Sequence, residues 1–215
     1  MTSKLTSAKL SAPKLAFSTA TTLDLDCIMP AAGLSSRMGE WKIMLPYKDS
    51  TILETSVKNA LSVCSRVILV AGHRATELID KMHGYPDVEI VINENYHQGM
   101  FSSIQQGLNH VRSDYFFIAH ADMPCISPEL YRNLWQARAQ GSVFLGDKSR
   151  SGHPVLIDSA LKDAILKQAD SASMKAILRR FSMTYLKLAD TAIHFDIDTP
   201  ADYEKLCAEY PHLGD

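Results

Sequence analysis

Short apolar or β-branched runs alternate along this chain with stretches whose apolar residues recur every three or four positions. That alternation narrows the fold more than any single motif does. LDCIMPAA, RVILVAGH, VEIVIN and YFFIAHAD are short enough, and apolar enough, to be strands buried on both faces. ILETSVKNALSVC sets Leu53, Val57, Ala60 or Leu61 and Cys64 on one helical face, and ATELIDKMH follows with helical period. SSIQQGLNHV does the same with Ile104, Leu108 and Val111. SPELYRNLWQARAQG predicts a helix with Ser127 as N-cap, Pro128 at its first position and Gly141 as its stop. SVFLGD and HPVLID predict two strands around a loop at 147–152, and ALKDAILKQ and SMKAILRRF predict two helices. TYLKLAD and HFDID read as strands before a last helix, TPADYEKLCAEY, which opens on a near capping box of Thr199, Pro200 and Asp202. The whole implies an α/β fold with a mostly parallel sheet covered on both faces.

In such sheets ligands sit outside the carboxyl ends of the strands. That rule directs attention to residues 30–42, 71–74, 93–103, 119–124 and 195–200.

The 215 residues, 46% of them hydrophobic, suffice for one substantial core, so a single domain over residues 24–215 is expected. Residues 1–23 are rich in Ser, Thr, Ala and Lys and read as a disordered tail. A transit peptide of that composition would usually carry Arg, and this segment has none. With 22 Lys and Arg against 24 Asp and Glu, the net charge of −2 predicts no general affinity for nucleic acid or an anionic membrane. Any anion must be met by local cations. Cys27, Cys64, Cys125 and Cys207 are scattered without a C-x-x-C pair, which argues against a zinc site or a disulfide framework and fits a reducing cytoplasm. No apolar run approaches the ~20 residues of a membrane span, and no secretory core is visible near the start.

The stretch PAAGLSSRMGEWKIMLP, residues 30–46, follows the first predicted strand. Gly33 and Gly39 permit unusual backbone conformations, and successive N–H groups in such a turn can form an anion-binding nest. Arg37 and Lys42 add fixed positive charge suited to a triphosphate. The stretch is neither a Walker A loop nor G-x-G-x-x-G. By itself it fits a glycine-rich turn with two surface cations equally well. Asp122 ends the run 115–121, where an acid would meet the magnesium of a bound phosphate or else cap a turn. Asp196 and Asp198 are two apart, so an extended strand would point both to one face. Gly99 and the pair Ser102–Ser103 stand at a helix start, where free N–H groups and hydroxyls bind a base or sugar or simply cap the helix. His153 belongs to a loop before a strand, and Trp41, Trp135 and the nine methionines are assigned to packing. Cys125 has no partner histidine that would make it a nucleophile.

Taken in order over residues 25–207, PAAGLSSRMG, WKIMLP, VILVAGH, GMFSSIQQGL, ADMP, GHPVL and DIDTPADYEKL resemble the nucleotidyltransferases that activate molybdenum cofactor. Within that family the chain looks most like the cytidylyltransferases, which join CTP to molybdopterin-bound molybdenum and release pyrophosphate. The resemblance implies a Rossmann-like three-layer nucleotidyltransferase fold. It implies that Ala31, Ala32, Gly33, Leu34, Ser35, Ser36 and Arg37 wrap the nucleotide, with Arg37 and Lys42 on its phosphates. Gly72, Gly99 and Ser103 would border base and ribose, Asp122 and Asp198 would hold Mg²⁺, and Gly152, His153 and Pro154 would line the pterin side. Arg37, Lys42 and Asp122 would carry catalysis. A client molybdenum hydroxylase would receive the product.

Related guanylyltransferases usually carry two glycines where this chain has Ala31-Ala32-Gly33, and the methyl group of Ala32 would leave less room for a purine. The chain departs from the family in Met29-Pro30 and in HADMP, where GDQP or GDMP is frequent. Two alternatives stand beside the cytidylyltransferase: a guanylyl-, sugar- or alcohol-phosphate nucleotidyltransferase, or a carrier of the cofactor without catalysis. A carrier would be expected to lack one or both metal acids, and Asp122 and Asp198 are both present.

Overall fold

Along the chain, β1 (Leu23–Pro30) leads through a 3-10 turn at Lys42–Met44 to the short hairpin of β2 (Pro46–Tyr47) and β3 (Ser50–Thr51). Then come α1 (Ile52–Leu61), β4 (Cys64–Ala71), α2 (Ala75–Met82), β5 (Val88–Ile92), α3 (Met100–Leu108) and β6 (Tyr115–Ile118). The chain continues with α4 (Pro128–Gln136), β7 (Ser142–Gly146), β8 (Ser151–Asp158), α5 (Lys162–Leu166), α6 (Met174–Leu178), β9 (Met183–Leu186) and α7 (Pro200–Glu209). This computed structural model describes residues 22–33, 38–169, 172–188 and 190–210. Leu34, Ser35, Ser36 and Arg37 lie outside the described residues, as does the expected tail apart from Thr22 and Leu23. Leu23 already belongs to β1.

Seven strands form one sheet in the order β5-β4-β1-β6-β8-β7-β9. Every neighbouring pair is parallel except β6·β8 and β7·β8, so β8 alone runs against the rest. Alternation along β1 sends Cys27 and Met29 to one face and Ile28 to the other. The first face is covered by α1, α2 and α4 through Leu53, Val57, Leu78, Leu130 and Leu134. The second is covered by α3, α5 and α6 through Ile104, Leu108, Ile165 and Ile177. The result is the expected three-layer sandwich, with β6 as the middle strand and β1 beside it.

Several elements differ from the sequence reading. The helix after β3 ends at Leu61, and Cys64 opens β4 instead of extending the helical face. At the sheet edge, β5 has only Val91 buried, although VEIVI has the apolar content of a central strand. Ser127 precedes α4 without a side-chain capping bond, and the helix stops at Gln136. Gly141 instead turns the chain into β7 at φ 97°, where an added Cβ would lie 2.3 Å from the Ser182 carbonyl oxygen. HFDID is no strand: a 3-10 turn at Ala192–His194 is followed by irregular backbone up to α7. His153 lies inside β8 rather than in a loop before it.

Between α3 and the sheet the approach is close. An added Cβ on Gly107 would stand 2.6 Å from Ile28 Cγ2 and 3.1 Å from Val70 Cγ2. Gly107→Ala is therefore expected to cost about 1–3 kcal/mol by overpacking, against the ~1 kcal/mol that alanine gains in an open helix. Urea unfolding measures the balance, and a midpoint at or above that of the unaltered chain would contradict this packing.

Candidate active site

The carboxyl ends of β1, β5 and β6 open on one cavity of about 480 Å³, whose walls include Ala32, Trp41, Lys42, Tyr96, Ser103 and Asp122. Because β8 runs the other way, its first residues reach this same edge of the sheet. Three distant segments meet at Lys42, whose Nζ lies 2.6 Å from Asp122 Oδ2 and 2.8 Å from Asp198 Oδ1. Asp122 follows β6, and its carbonyl accepts from the Ile197 N–H at 3.1 Å, which holds segment 195–198 beside it. Asp198 is fixed from the other side by α7: the Asp202 carboxylate accepts from the backbone N–H groups of Asp198 and Thr199 at 3.2 and 2.8 Å. Thr199 completes that capping box by accepting from the Asp202 N–H.

The electrostatics follow from this convergence. Burial disfavours the Lys42 ammonium, but Asp122 and Asp198 outweigh it and raise its pKa. Asp196 lines the cavity as well, and its pKa is raised by burial and by the charges of Asp198 and Asp122. Three carboxylates thus share one wall although no strand aligns them. All are hard oxygen donors, and Mg²⁺ is usually held by one or two carboxylates together with phosphate oxygens and water. Among the described residues no group of three or more His, Cys, Asp or Glu is placed to hold a metal ion by itself. Asp122 and Asp198 as a pair fit the one or two carboxylates that such an ion needs beside phosphate and water.

The glycines divide by role. Gly39 has φ 71°, a left-handed conformation, whereas Gly33 does not, so only Gly39 meets the expectation of a special backbone in this loop. Gly99 at φ 105° leads into α3, whose first turn faces the cavity through Met100 and Ser103. Ser103 is buried, and its hydroxyl accepts from the Asn93 amide at 3.0 Å. Gly72 is not a cavity wall. A Cβ there would lie 2.5 Å from Tyr96 Cβ and 2.7 Å from Ala32 Cβ, so its absence lets Tyr96 stand against Ala32.

Behind His120 lies a second cavity of about 250 Å³, to which Gly152 and His153 belong. Pro154, joined to His153 by a cis peptide bond, is buried and not among its lining residues. The His120 and His153 rings lie with centroids 3.8 Å apart and tilted by 33°, and His120 Nδ1 is 4.0 Å from Asp122 Oδ1. Burial, reinforced by Lys42, lowers the His120 pKa to about 4 despite the Asp198 charge. Burial and neighbouring His120 lower that of His153 to about 3, with the Ile118 carbonyl and Asp122 pulling the other way. Both rings are neutral at pH 7. His153 keeps some solvent-accessible surface, yet its Nδ1 is sealed from water without a hydrogen-bond partner.

The structure thus gathers Ala31, Ala32, Gly33, Lys42, Gly99, Ser103, Asp122 and Asp198 around one cavity and sets Gly152 and His153 around its neighbour. Leu34, Ser35, Ser36 and Arg37, expected to wrap the nucleotide with Arg37 on its phosphates, lie outside the described residues. Sequence reading missed Tyr96, His97 and His120, while Trp41, assigned to packing, is buried in the core and lines the cavity as well. For His120 there was a signal, its place two residues before Asp122 at a strand end.

The MobA-like NTP transferase domain matches residues 27–187. The molybdenum cofactor cytidylyltransferase of Escherichia coli K12 is 36% identical over 179 residues, covering 83% of this chain and 93% of that protein. The nicotine blue oxidoreductase of Paenarthrobacter nicotinovorans is 27% identical, covering 82% of this chain and 94% of its own length. The manganese complex of Rv0371c from Mycobacterium tuberculosis H37Rv shares the fold with a TM-score of 0.69 at 22% identity, over 86% of this chain and 98% of that one.

The histidine pair makes stability depend on pH with a definite sign. Each ring binds its proton less readily folded than unfolded, so stability is complete above the ordinary value of 6.5 and falls as pH drops toward the folded values near 4 and 3. His153→Phe is expected to flatten that fall by at most about 1.4 kcal/mol per pH unit. Denaturant unfolding at pH 7 and pH 5 reads the difference, and equal slopes in both proteins would refute it.

Proposed function

We propose that this chain, which belongs to the MobA-like NTP transferase family and is a nucleotidyltransferase, transfers CMP from CTP to the terminal phosphate of molybdopterin-bound molybdenum. The products are pyrophosphate and the cytosine dinucleotide form of the cofactor. One observation carries the reading: Lys42, Asp122 and Asp198 converge at the mouth of a nucleotide-sized cavity beyond β1. The 36% identity with the E. coli cytidylyltransferase supports this choice of substrates.

The nucleophile is an acceptor phosphate oxygen, already anionic at neutral pH, so no strong general base is needed. This oxygen attacks the α-phosphorus of CTP as the bond to the bridging oxygen of the β-phosphate breaks, and pyrophosphate departs. Lys42 and Arg37 offset the charge of two polyanions brought together. The first turn of α3, with Gly99 and Ser103, receives the sugar and base. Ala32 and Tyr96, packed across Gly72, close the wall that a purine would need, which favours CTP over GTP. Asp122 and Asp198 would hold Mg²⁺, which when bound would supply charge neutralisation on the triphosphate and the leaving group. Gly152 and His153 meet the acceptor.

No described helix is long and apolar enough to cross a membrane. Reaction in the cytoplasm and delivery to a client molybdenum hydroxylase complete the proposal.

Pyrophosphate release in the presence of molybdopterin-molybdenum is expected with CTP in preference to GTP, ATP and UTP. A preference for GTP would overturn the role of Ala32. Lys42→Ala is expected to lower turnover by ~10²-fold or more, the scale of one lost transition-state charge contact. Far-ultraviolet circular dichroism checks that the variant is folded, and undiminished turnover would remove Lys42 from the mechanism.

A further inference from the structure

The loops that follow β1 and β4 meet behind one wall of the first cavity. Arg74, two residues after the Gly72 contact, places its guanidinium carbon 4.6 Å from the centre of the Trp41 ring. Trp41 packs in the core, lines the cavity and immediately precedes Lys42. Its carbonyl accepts from the Met44 N–H at 2.9 Å and so closes the 3-10 turn at Lys42–Met44. The guanidinium is held in its turn: Glu77, in the first turn of α2, accepts from Arg74 Nε and Nη2 with its two carboxylate oxygens. Arg74 also carries a backbone cost. Its φ of 56° and ψ of 39° are left-handed, which a long side chain seldom adopts unless its surroundings require it. An exposed ion pair three residues apart adds little stability, so this fork is of more consequence for where it holds the cation.

We infer that Arg74 is a positioning residue: by covering Trp41 it fixes the turn that presents Lys42 to the triphosphate. The inference rests on the transferase reading and adds to it a residue that is not itself a wall of the cavity. A cation over an indole is attracted by the ring, and a planar guanidinium can stack on it as well. Trp41 is thereby clamped between the core cluster in which it packs and the charge above it. Tilting the ring would loosen one contact or the other, and the turn that carries Lys42 would move with it. Trp135 also has a guanidinium over it, that of Arg138 at 4.2 Å, but those residues are near neighbours at the end of α4 and tie no loops together.

Two measurements on the full chain test this. In a Trp135→Phe background Trp41 is the only tryptophan, and acrylamide quenching of its emission reports how well it is covered. Adding Arg74→Gln, which removes the charge, should make that emission easier to quench. In the transfer reaction Arg74→Gln should lower turnover by about tenfold, the scale of one partly desolvated cation–π contact, with a smaller change in KM for CTP. Arg74→Lys should recover part of the loss, because it restores the charge without the fork on Glu77. Since Arg74 acts through Lys42, Arg74→Gln should cost nothing further in a chain that already carries Lys42→Ala. Unchanged quenching, undiminished turnover, or a full loss repeated in the Lys42→Ala background would each overturn the inference and leave the transferase reading intact. Glu77→Gln, on an exposed side chain, should produce a smaller share of both effects. Circular dichroism checks folding, and if Arg74→Gln does not fold, the absence of both effects in Glu77→Gln would overturn the inference. Absence of transfer by the unaltered chain would instead overturn the transferase reading.

Discussion

The ammonium of Lys42, held against Asp122 and Asp198, is the contact on which the arrangement of this site depends. Lys42 and Asp198 are 156 residues apart in sequence, and Asp122 belongs to a third segment. Removing Lys42 would leave two carboxylates facing each other in a partly dry cleft, which is more costly than losing an exposed pair. The triad therefore binds the first loop of the sheet, the turn after β6 and the start of α7 into one unit. It also sets positive charge beside carboxylates on the cavity to which the proposed function assigns a triphosphate and its metal. A site of this kind needs no activated side-chain nucleophile, since its work is to position and neutralise.

Much of this architecture was legible from sequence because periodicity reports local geometry. The parallel strands β1, β4 and β6 announce themselves as unbroken apolar runs, and Thr199 with Asp202 marks the start of α7. Less visible was what depends on neighbours. VEIVI has the composition of a central strand, but only its place in the sheet order makes β5 an edge. The spacing of Asp196 and Asp198 suggested a strand, whereas a backbone bond to Asp122 and the capping box of α7 place them. Both do line one cavity, but not through the alternation of a strand.

Gly72 shows a similar limit. A glycine after a strand reads as a flexible turn or as a ligand contact. Here its missing Cβ is space already occupied by Tyr96 and Ala32. No local pattern records a contact between the ends of β1 and β4 and a turn that follows β5. The same holds for Trp41, whose wall position follows from the turn that carries Lys42 rather than from its own neighbours in sequence.

The reversal of β8 has the widest functional consequence. In a wholly parallel sheet, one edge would present only strand carboxyl ends and the loops that follow them. By inserting one antiparallel strand beside β6, this fold brings the amino end of β8, with Gly152 and His153, to the edge where the β1 and β6 loops end. The sheet is thereby split into one half, β5-β4-β1-β6, whose ends carry the first cavity, and a second half, β8-β7-β9. The His120–His153 ring contact marks their seam. Helix α3 lines both cavities, whereas α6 lines only the second. Substitutions in α6 can therefore reshape the second cavity without moving Lys42 or its carboxylates, so under the proposed function the acceptor side can change while the nucleotide side stays fixed.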